Sequence, residues 1–90
     1  MNITDIDLGE GHSYEPTEYK GEFCGILWKH PACPDYEHIP FTGGAWANEF
    51  KNGITTWECE SKNPLTLSPS LLCRACNTHG FIRNGKWVQA

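Results

Sequence analysis

Short apolar runs separated by turn residues make up most of the chain. Residues 22–28, Glu-Phe-Cys-Gly-Ile-Leu-Trp, are rich in aromatic and β-branched side chains and lack a helical period, which predicts a strand. Residues 65–72 predict a second strand that is interrupted around Pro69, because proline cannot donate to a β-ladder. No stretch keeps a helical period over two turns. The pattern predicts an all-β fold, or a β-rich fold with minimal helix, built from small antiparallel hairpins.

Two Asn-Gly pairs predict hairpin turns, since Asn-Gly between apolar runs is a strong short-range hairpin signal. The first, Asn52-Gly53, predicts a hairpin over residues 46–59 in which Cys59 lies buried on the core face. The second, Asn84-Gly85, predicts a hairpin over residues 81–88. In both cases the two-residue turn fixes the register of the flanking strands.

The segment 29–41 has a different character, with three prolines in ten residues. Proline removes a backbone donor and is excluded from helix interiors and central strands, so an ordered loop is predicted. This loop displays His30, Cys33 and His38. Ordered loops are frequent carriers of ligand-binding side chains.

A chain of 90 residues forms one small domain, which buries only about 60–65% of its unfolded surface and is marginal without extra stabilisation. It holds five cysteines, an odd number, and opens without a basic and apolar secretory segment. We therefore expect reduced thiols in a cytoplasm, acting as metal ligands or core residues rather than as a disulfide framework. No apolar run approaches the roughly 20 residues that a membrane span requires.

The net charge of −4 is distributed unevenly along the chain. Residues 1–22 hold six acids and one lysine, whereas residues 73–90 hold three basic residues and no acid. The sequence predicts an acidic arm over residues 1–21, flexible or an edge strand, ahead of a β domain over residues 22–90. Because affinity for nucleic acid depends on neutralising phosphates, an acidic chain is a poor general nucleic-acid binder.

The stretch Cys73-Arg-Ala-Cys76-Asn-Thr-His79 carries the clearest metal-ligand spacing. Two cysteines three residues apart can converge on one tetrahedral ion, and a histidine three residues later can reach it too. We take the fourth ligand from the proline-rich loop. The predicted zinc ligands are Cys33, Cys73, Cys76 and His79, with His30 as the main rival for one position and His38 and Cys24 behind it. A closed Cys3His set is typical of structural zinc, which would tie the two ends of the β domain together.

Two motifs resemble a known family: Pro64-Leu-Thr-Leu-Ser-Pro-Ser70, and Cys76-x-x-His79 followed by the hairpin that ends at Trp87. The family consists of small Cys/His-containing domains of unknown function that are common in phage and prophage genomes. Some members are mislabelled as ammonia monooxygenase, and some lie near bacterial ubiquitin-like operons. The resemblance covers roughly residues 23–88 and implies a zinc-binding domain of phage type.

The resemblance extends to Cys33-Pro34, to His38 and to Trp57. It departs where the family pattern has a second cysteine after Cys33-Pro34, because Asp35 and Tyr36 stand there. Cys73 is additional to the simplest family pattern. The resemblance thus implies an exchange in which Cys73 supplies the thiolate that the first loop lacks.

The sequence shows no phosphate-binding loop, nucleotide motif or Ser-His-Asp spacing, so we lean against an enzyme. We expect a non-enzymatic protein-binding module, a modulator or inhibitor of a host system, with a host or phage protein as partner. If the chain is phage-encoded, it would act in the host cytoplasm, and no membrane association is expected. Two alternatives remain open: a nucleic-acid-binding zinc module that uses Arg74, Arg83 and Lys86, and a metal-dependent hydrolase with an open coordination position.

Overall fold

The computed structural model describes residues 5–33, 36–50 and 53–90. Nine strands and one short 3-10 helix make up its regular structure, so the predicted all-β fold is confirmed. The strands are β1 (Ile6–Gly9), β2 (His12–Tyr19), β3 (Glu22–Lys29), β4 (Tyr36–Pro40), β5 (Glu58–Lys62), β6 (Leu65–Ser68), β7 (Leu71–Leu72), β8 (His79–Arg83) and β9 (Lys86–Gln89); the 3-10 helix spans Ala47–Glu49. Among these residues, no helix is long and apolar enough to cross a membrane.

Strands β1 to β4 form an antiparallel meander in sequence order. Two-residue turns at Glu10-Gly11 and Lys20-Gly21 connect its first three strands, and both turn residues have positive φ in each case. This is the type I′ geometry, whose twist matches that of the flanking strands. Asn84-Gly85 makes the same turn between β8 and β9, with Ile82 opposite Trp87 as the predicted hairpin requires.

The remaining strands form a β5–β6 hairpin and a three-stranded β7–β8–β9 sheet. The interruption predicted near Pro69 separates β6 from β7. The smaller sheets pack on one face of the meander, and the core lies between them. Its buried members are Leu8, Tyr14, Ile26, Trp28, Ile39, Phe41, Leu65, Leu67, Leu71, Cys73, Ile82 and Trp87.

The hairpin predicted over residues 46–59 is wrong in the part that the structure describes. Residues 47–49 form a 3-10 helix, residues 53–56 have no regular structure, and Asn52 lies outside the described residues. Cys59 lies in β5 instead, where it pairs with Leu67 and packs against the core while half-buried. An Asn-Gly pair forms a hairpin only when both flanks find strand partners, and Trp57 instead pairs with Phe41 at the end of β4.

The prediction of a loop over residues 29–41 is also wrong in part, because Tyr36–Pro40 forms β4 at the edge of the meander. Proline is tolerated on such an edge, where its missing N–H costs no ladder bond. Pro34 and Asp35 lie outside the described residues. The predicted arm over residues 1–21 contributes β1 and β2, so the boundary predicted at residue 22 falls inside a sheet.

Candidate metal centre

A tight turn at the end of β3 positions the first two candidate ligands, His30 and Cys33. The Cys33 N–H donates to the His30 carbonyl at 3.4 Å across Pro31-Ala32. Proline suits the second position of such a turn because its φ is already fixed near the required value. The turn lies against the β1–β2 turn, since a Cβ on Gly11 would lie 3.2 Å from the Pro31 ring.

A second turn, between β7 and β8, positions Cys73 and Cys76. Two backbone hydrogen bonds close it, from Asn77 N–H to the Cys73 carbonyl at 2.7 Å and from Cys73 N–H to the Thr78 carbonyl at 2.9 Å. Asn77 has a φ of 61°, a left-handed conformation that asparagine adopts more readily than most residues. The Cys-x-x-Cys spacing therefore forms the compact turn that brings both thiols to one side.

The two turns face each other, and their side chains converge. One ligand atom from each of His30, Cys33, Cys73 and Cys76 lies within 4.8 Å of the other three. Ligands of a tetrahedral zinc ion, at about 2.3 Å for sulfur and 2.0–2.1 Å for nitrogen, are separated by about 3.4–3.8 Å. The cluster is thus within about 1.5 Å of tetrahedral spacing, a distance that small side-chain rotations cover. These four residues could bind a metal ion.

The surroundings of His30 favour a ligand role over an ordinary core histidine. The ring is buried, and neither of its nitrogens has a hydrogen-bond partner among the described residues. Burying such polar atoms without partners is costly, so native proteins rarely do it. Burial also lowers the pKa of His30, which keeps the imidazole neutral at neutral pH and able to donate a lone pair to a metal.

A stack of aromatic rings holds His30 in place. Its ring lies on Trp28, with centroids 4.2 Å apart, and Trp28 lies beside Trp87 at 5.2 Å. His12 stacks on Trp87 at 3.8 Å and accepts a hydrogen bond from the Trp28 indole N–H at 3.1 Å. Ring stacking fixes the imidazole plane, so the core itself orients this ligand.

The thiols differ in their electrostatics. Burial raises the pKa of Cys73 to about 11, and its S–H donates to a Glu37 carboxylate oxygen at 3.3 Å. A hydrogen bond from the Thr78 hydroxyl lowers the pKa of Cys76, with 3.1 Å between the sulfur and the oxygen. Without a metal, Cys73 is therefore a neutral thiol, while Cys76 ionises more readily. A cation bound between them would favour the thiolate form of both.

His79, a predicted ligand, lies outside this cluster. It begins β8, where strand alternation directs Gly80 and Ile82 into the core and His79, Phe81 and Arg83 to the opposite side. The exposed His79 ring is 2.8 Å from the Ser70 hydroxyl, and the Arg83 guanidinium lies 4.2 Å from the centre of the Phe81 ring. Because β8 already begins at His79, the side chain of this residue follows the strand alternation and does not join Cys76.

The two lesser rivals also lie elsewhere. His38 is exposed on β4, near the rings of Tyr36 and Trp46. Cys24 is buried in β3, and its thiol donates to the Thr17 carbonyl at 3.8 Å. All five cysteines are free thiols. One sequence signal could have favoured His30. The segment His30-Pro31-Ala32-Cys33 predicts a proline-containing turn with a candidate ligand at each end.

Comparisons of the chain with protein-family models, with curated proteins and with solved structures gave no match. The family resemblance described from the sequence therefore stays a prediction.

Proposed function

We propose that this protein binds one zinc ion through His30, Cys33, Cys73 and Cys76, and that the ion is structural. The observation that carries the proposal is the buried His30 ring: neither nitrogen has a hydrogen-bond partner among the described residues, and one of them lies within 4.8 Å of three sulfur atoms. Thiolate and imidazole ligands in a set of four are typical of zinc. Harder cations such as Mg²⁺ and Ca²⁺ prefer oxygen ligands and would be poorly served here.

Four protein ligands complete a tetrahedral shell and leave no position for a metal-bound water, so we propose no hydrolytic role. The ion would link the end of β3 to the turn before β8. This joins the meander to the three-stranded sheet at the edge of the core. For a domain of this size, such a link is a substantial share of the total stability.

Zinc binding is tested by native mass spectrometry of the purified protein, with cobalt substitution as the spectroscopic readout. We expect one zinc ion per chain. The cobalt form should show the intense visible absorption of tetrahedral coordination, together with near-ultraviolet thiolate-to-cobalt charge-transfer absorption of the intensity expected for three thiolates. A protein that is folded without any metal, or a cobalt spectrum typical of six-coordination, contradicts the proposal.

For the domain as a whole, we propose a non-enzymatic protein-binding module that acts by contact in a reducing compartment such as the cytoplasm. Free thiols persist under reducing conditions, which supports the compartment. A phage origin, with a host protein as the target, is part of the proposal and is motivated only by the motif resemblance. A pull-down from bacterial lysate with the zinc-loaded protein should enrich a protein partner. Enrichment of nucleic acid instead would favour the alternative of a nucleic-acid-binding zinc module.

A further inference from the structure

The outer face of the meander, opposite the core, carries a row of aromatic rings. Tyr36 and His38 alternate on β4 with the inward-facing Glu37 and Ile39, and their rings lie 5.9 Å apart. The Trp46 ring continues the row, 5.6 Å from His38. We call Tyr36, His38 and Trp46 the aromatic strip. Tyr36 is 49% exposed, although large apolar side chains usually lie in a core.

Several contacts hold Trp46 on this face. A Cβ on Gly25 would lie 2.5 Å from the Trp46 ring, so the indole packs directly on the β3 backbone where only glycine leaves room. The segment around it is anchored at both ends. The Ala45 N–H donates to Glu22 at 3.0 Å, and the Tyr19 hydroxyl donates to Glu49. The strip is therefore a built surface rather than a chance exposure of one side chain.

Acidic side chains share the face with the strip. Cross-strand partners lie on the same side of a sheet, which places Asp7 in one row with Lys29 and Tyr36, and Glu15 in the next row with His38. The Lys29 ammonium is already paired with Asp5 at 2.8 Å. Its pKa is raised, chiefly by the hydrogen bond to Asp5, with Glu15 adding to the effect. Among the described residues of these rows, the carboxylates of Asp5, Asp7 and Glu15 therefore outnumber the single ammonium of Lys29.

We propose that the aromatic strip is the docking surface of the module, and that its occupant is a peptide segment rich in arginine or lysine. The inference rests on the protein-binding role proposed above and names the partner's chemistry. Aromatic faces attract guanidinium and ammonium groups through cation–π contacts, and nearby carboxylates add electrostatic attraction. The same charge pattern concentrates cationic segments at the surface before they dock.

Other occupants fit this surface less well. A second copy docking through the same face would bring two sets of carboxylates together, which opposes a symmetric dimer. Nucleic acid would meet the same repulsion at its phosphates. A neutral oligosaccharide could stack on the rings, but it would gain nothing from Asp7 and Glu15, so its binding would be indifferent to salt.

The test uses fluorescence anisotropy of a short labelled peptide that alternates glycine with arginine, titrated with zinc-loaded full-length protein. We expect saturable binding at low salt that weakens as the salt concentration rises. Trp46→Ala and Tyr36→Ala should each weaken binding by about tenfold, as expected for central aromatic anchors. The double variant Asp7→Asn with Glu15→Gln should weaken it by about threefold to tenfold and flatten the salt dependence.

The matched control for the rings is Val88→Ala on β9, a side chain of similar exposure at 38% on a different sheet. It should change the affinity by less than about twofold, within the small effect typical of surface positions. Glu60→Gln on β5 is the matched control for charge. Zinc content and circular dichroism of each variant establish that it is folded. If Trp46→Ala does not fold, Tyr36→Ala alone tests the contribution of the rings.

Three outcomes overturn the inference: no saturable binding of the arginine peptide, binding that neither ring variant affects, or tighter binding of a single-stranded oligothymidylate or of a neutral oligosaccharide. The lysate pull-down separates this failure from that of the proposed function. If a captured partner remains bound to Tyr36→Ala and Trp46→Ala, the protein-binding role stands. The aromatic strip is then not its docking surface. Absence of any captured partner removes both.

Discussion

His30 and His79 have the same relation to a cysteine in the sequence, yet they lie in opposite environments. Each stands three residues from one, His30 before Cys33 and His79 after Cys76. His30 is buried at 4% exposure with both ring nitrogens unpartnered among the described residues, whereas His79 is exposed and bonded to Ser70. Spacing alone does not identify a ligand.

Local backbone geometry makes the difference between the two histidines. His30 directly follows β3 and begins a turn that is closed by its own carbonyl, so its side chain and that of Cys33 can point the same way. His79 begins a strand, in which neighbouring side chains alternate between faces. Burying Gly80 and Ile82 in the core therefore directs His79 outward, and packing of the core outweighs the proximity of Cys76.

The largest expected effect is that of Cys73→Ala, with Cys24→Ala as its matched control. Both thiols are fully buried, but only Cys73 lies in the cluster. Structural zinc contributes about 10–16 kcal/mol in small zinc-finger peptides, comparable with the entire stability of a small domain. Cys73→Ala should therefore lose zinc and unfold, while Cys24→Ala should retain zinc and lose about 1 kcal/mol. Equal destabilisation of the two variants, measured by denaturant unfolding with zinc analysis, would contradict the account.

The pH dependence of zinc affinity is the next largest effect. Because the pKa of Cys73 is raised to about 11, this thiol keeps its proton at neutral pH until zinc displaces it. Affinity should fall at least about tenfold for each unit that the pH drops through the range of about 9 to 7. The pKa of His30 is lowered, so its ring is already neutral there and releases no proton. Below a pH of about 6.5, the His30 ring binds a proton more readily in the unfolded chain than in the folded protein, so the folded protein loses further stability.

Competition with a chromophoric chelator at several pH values measures this dependence. Calorimetry in buffers of different ionisation enthalpy counts the protons released. Zinc affinity that does not change with pH would show that zinc binding does not remove the proton of the Cys73 thiol. Cys73 would then not be a zinc ligand.

Gly80→Ala tests the strand alternation that directs His79 outward. A Cβ at residue 80 would lie 2.4 Å from the Trp87 ring and 2.6 Å from the Val88 carbonyl oxygen. Overpacking of this kind costs about 1–3 kcal/mol, because the indole and its stack on His12 must shift. If His79 were turned inward instead, Gly80 would face solvent and the substitution would be harmless. Thermal unfolding of the zinc-loaded protein distinguishes the two arrangements.

The smallest expected effect is that of Ser70→Ala, which removes the hydroxyl bonded to the His79 ring. An exposed hydrogen bond contributes about 0.5–1.5 kcal/mol at most, so stability should change little. The NMR resonances of the His79 ring should shift, while the zinc content stays at one ion per chain. A loss of zinc in this variant would mean that His79 is coupled to the site after all.

The sequence predicts the strands well where the turn chemistry and the flanks agree, as at Asn84-Gly85. The sequence predicts strands wrongly around Asn52-Gly53, because the described segments on either side of this dipeptide do not pair with each other as strands. Glu10-Gly11 and Lys20-Gly21 form turns of the same geometry but gave no comparable signal, because glutamate and lysine adopt positive φ less readily than asparagine. Local propensity does not reveal which partner strand a segment finds, so the sequence offered one edge strand as an alternative within residues 1–21, whereas β2 and β4 emerged only from the structure.

The candidate site, too, could be predicted from the sequence only in part. Cys73 and Cys76 follow from a spacing that itself produces the turn, and Cys33 follows from a search for a ligand in the proline-rich loop. The choice between His30 and His79 depends on the faces of β3 and β8. Those faces are set by burial of Trp28 and Ile82, which involves residues distant in the sequence.

The most direct test of the central claim is the zinc stoichiometry of His30→Ala and His79→Ala, measured side by side by native mass spectrometry and chelator competition. We predict that His30→Ala weakens zinc binding by about a hundredfold or more, since it removes a buried ligand. We expect His79→Ala to retain one zinc ion per chain with an affinity within about twofold of the parent. Loss of zinc from His79→Ala together with retention in His30→Ala would contradict the account.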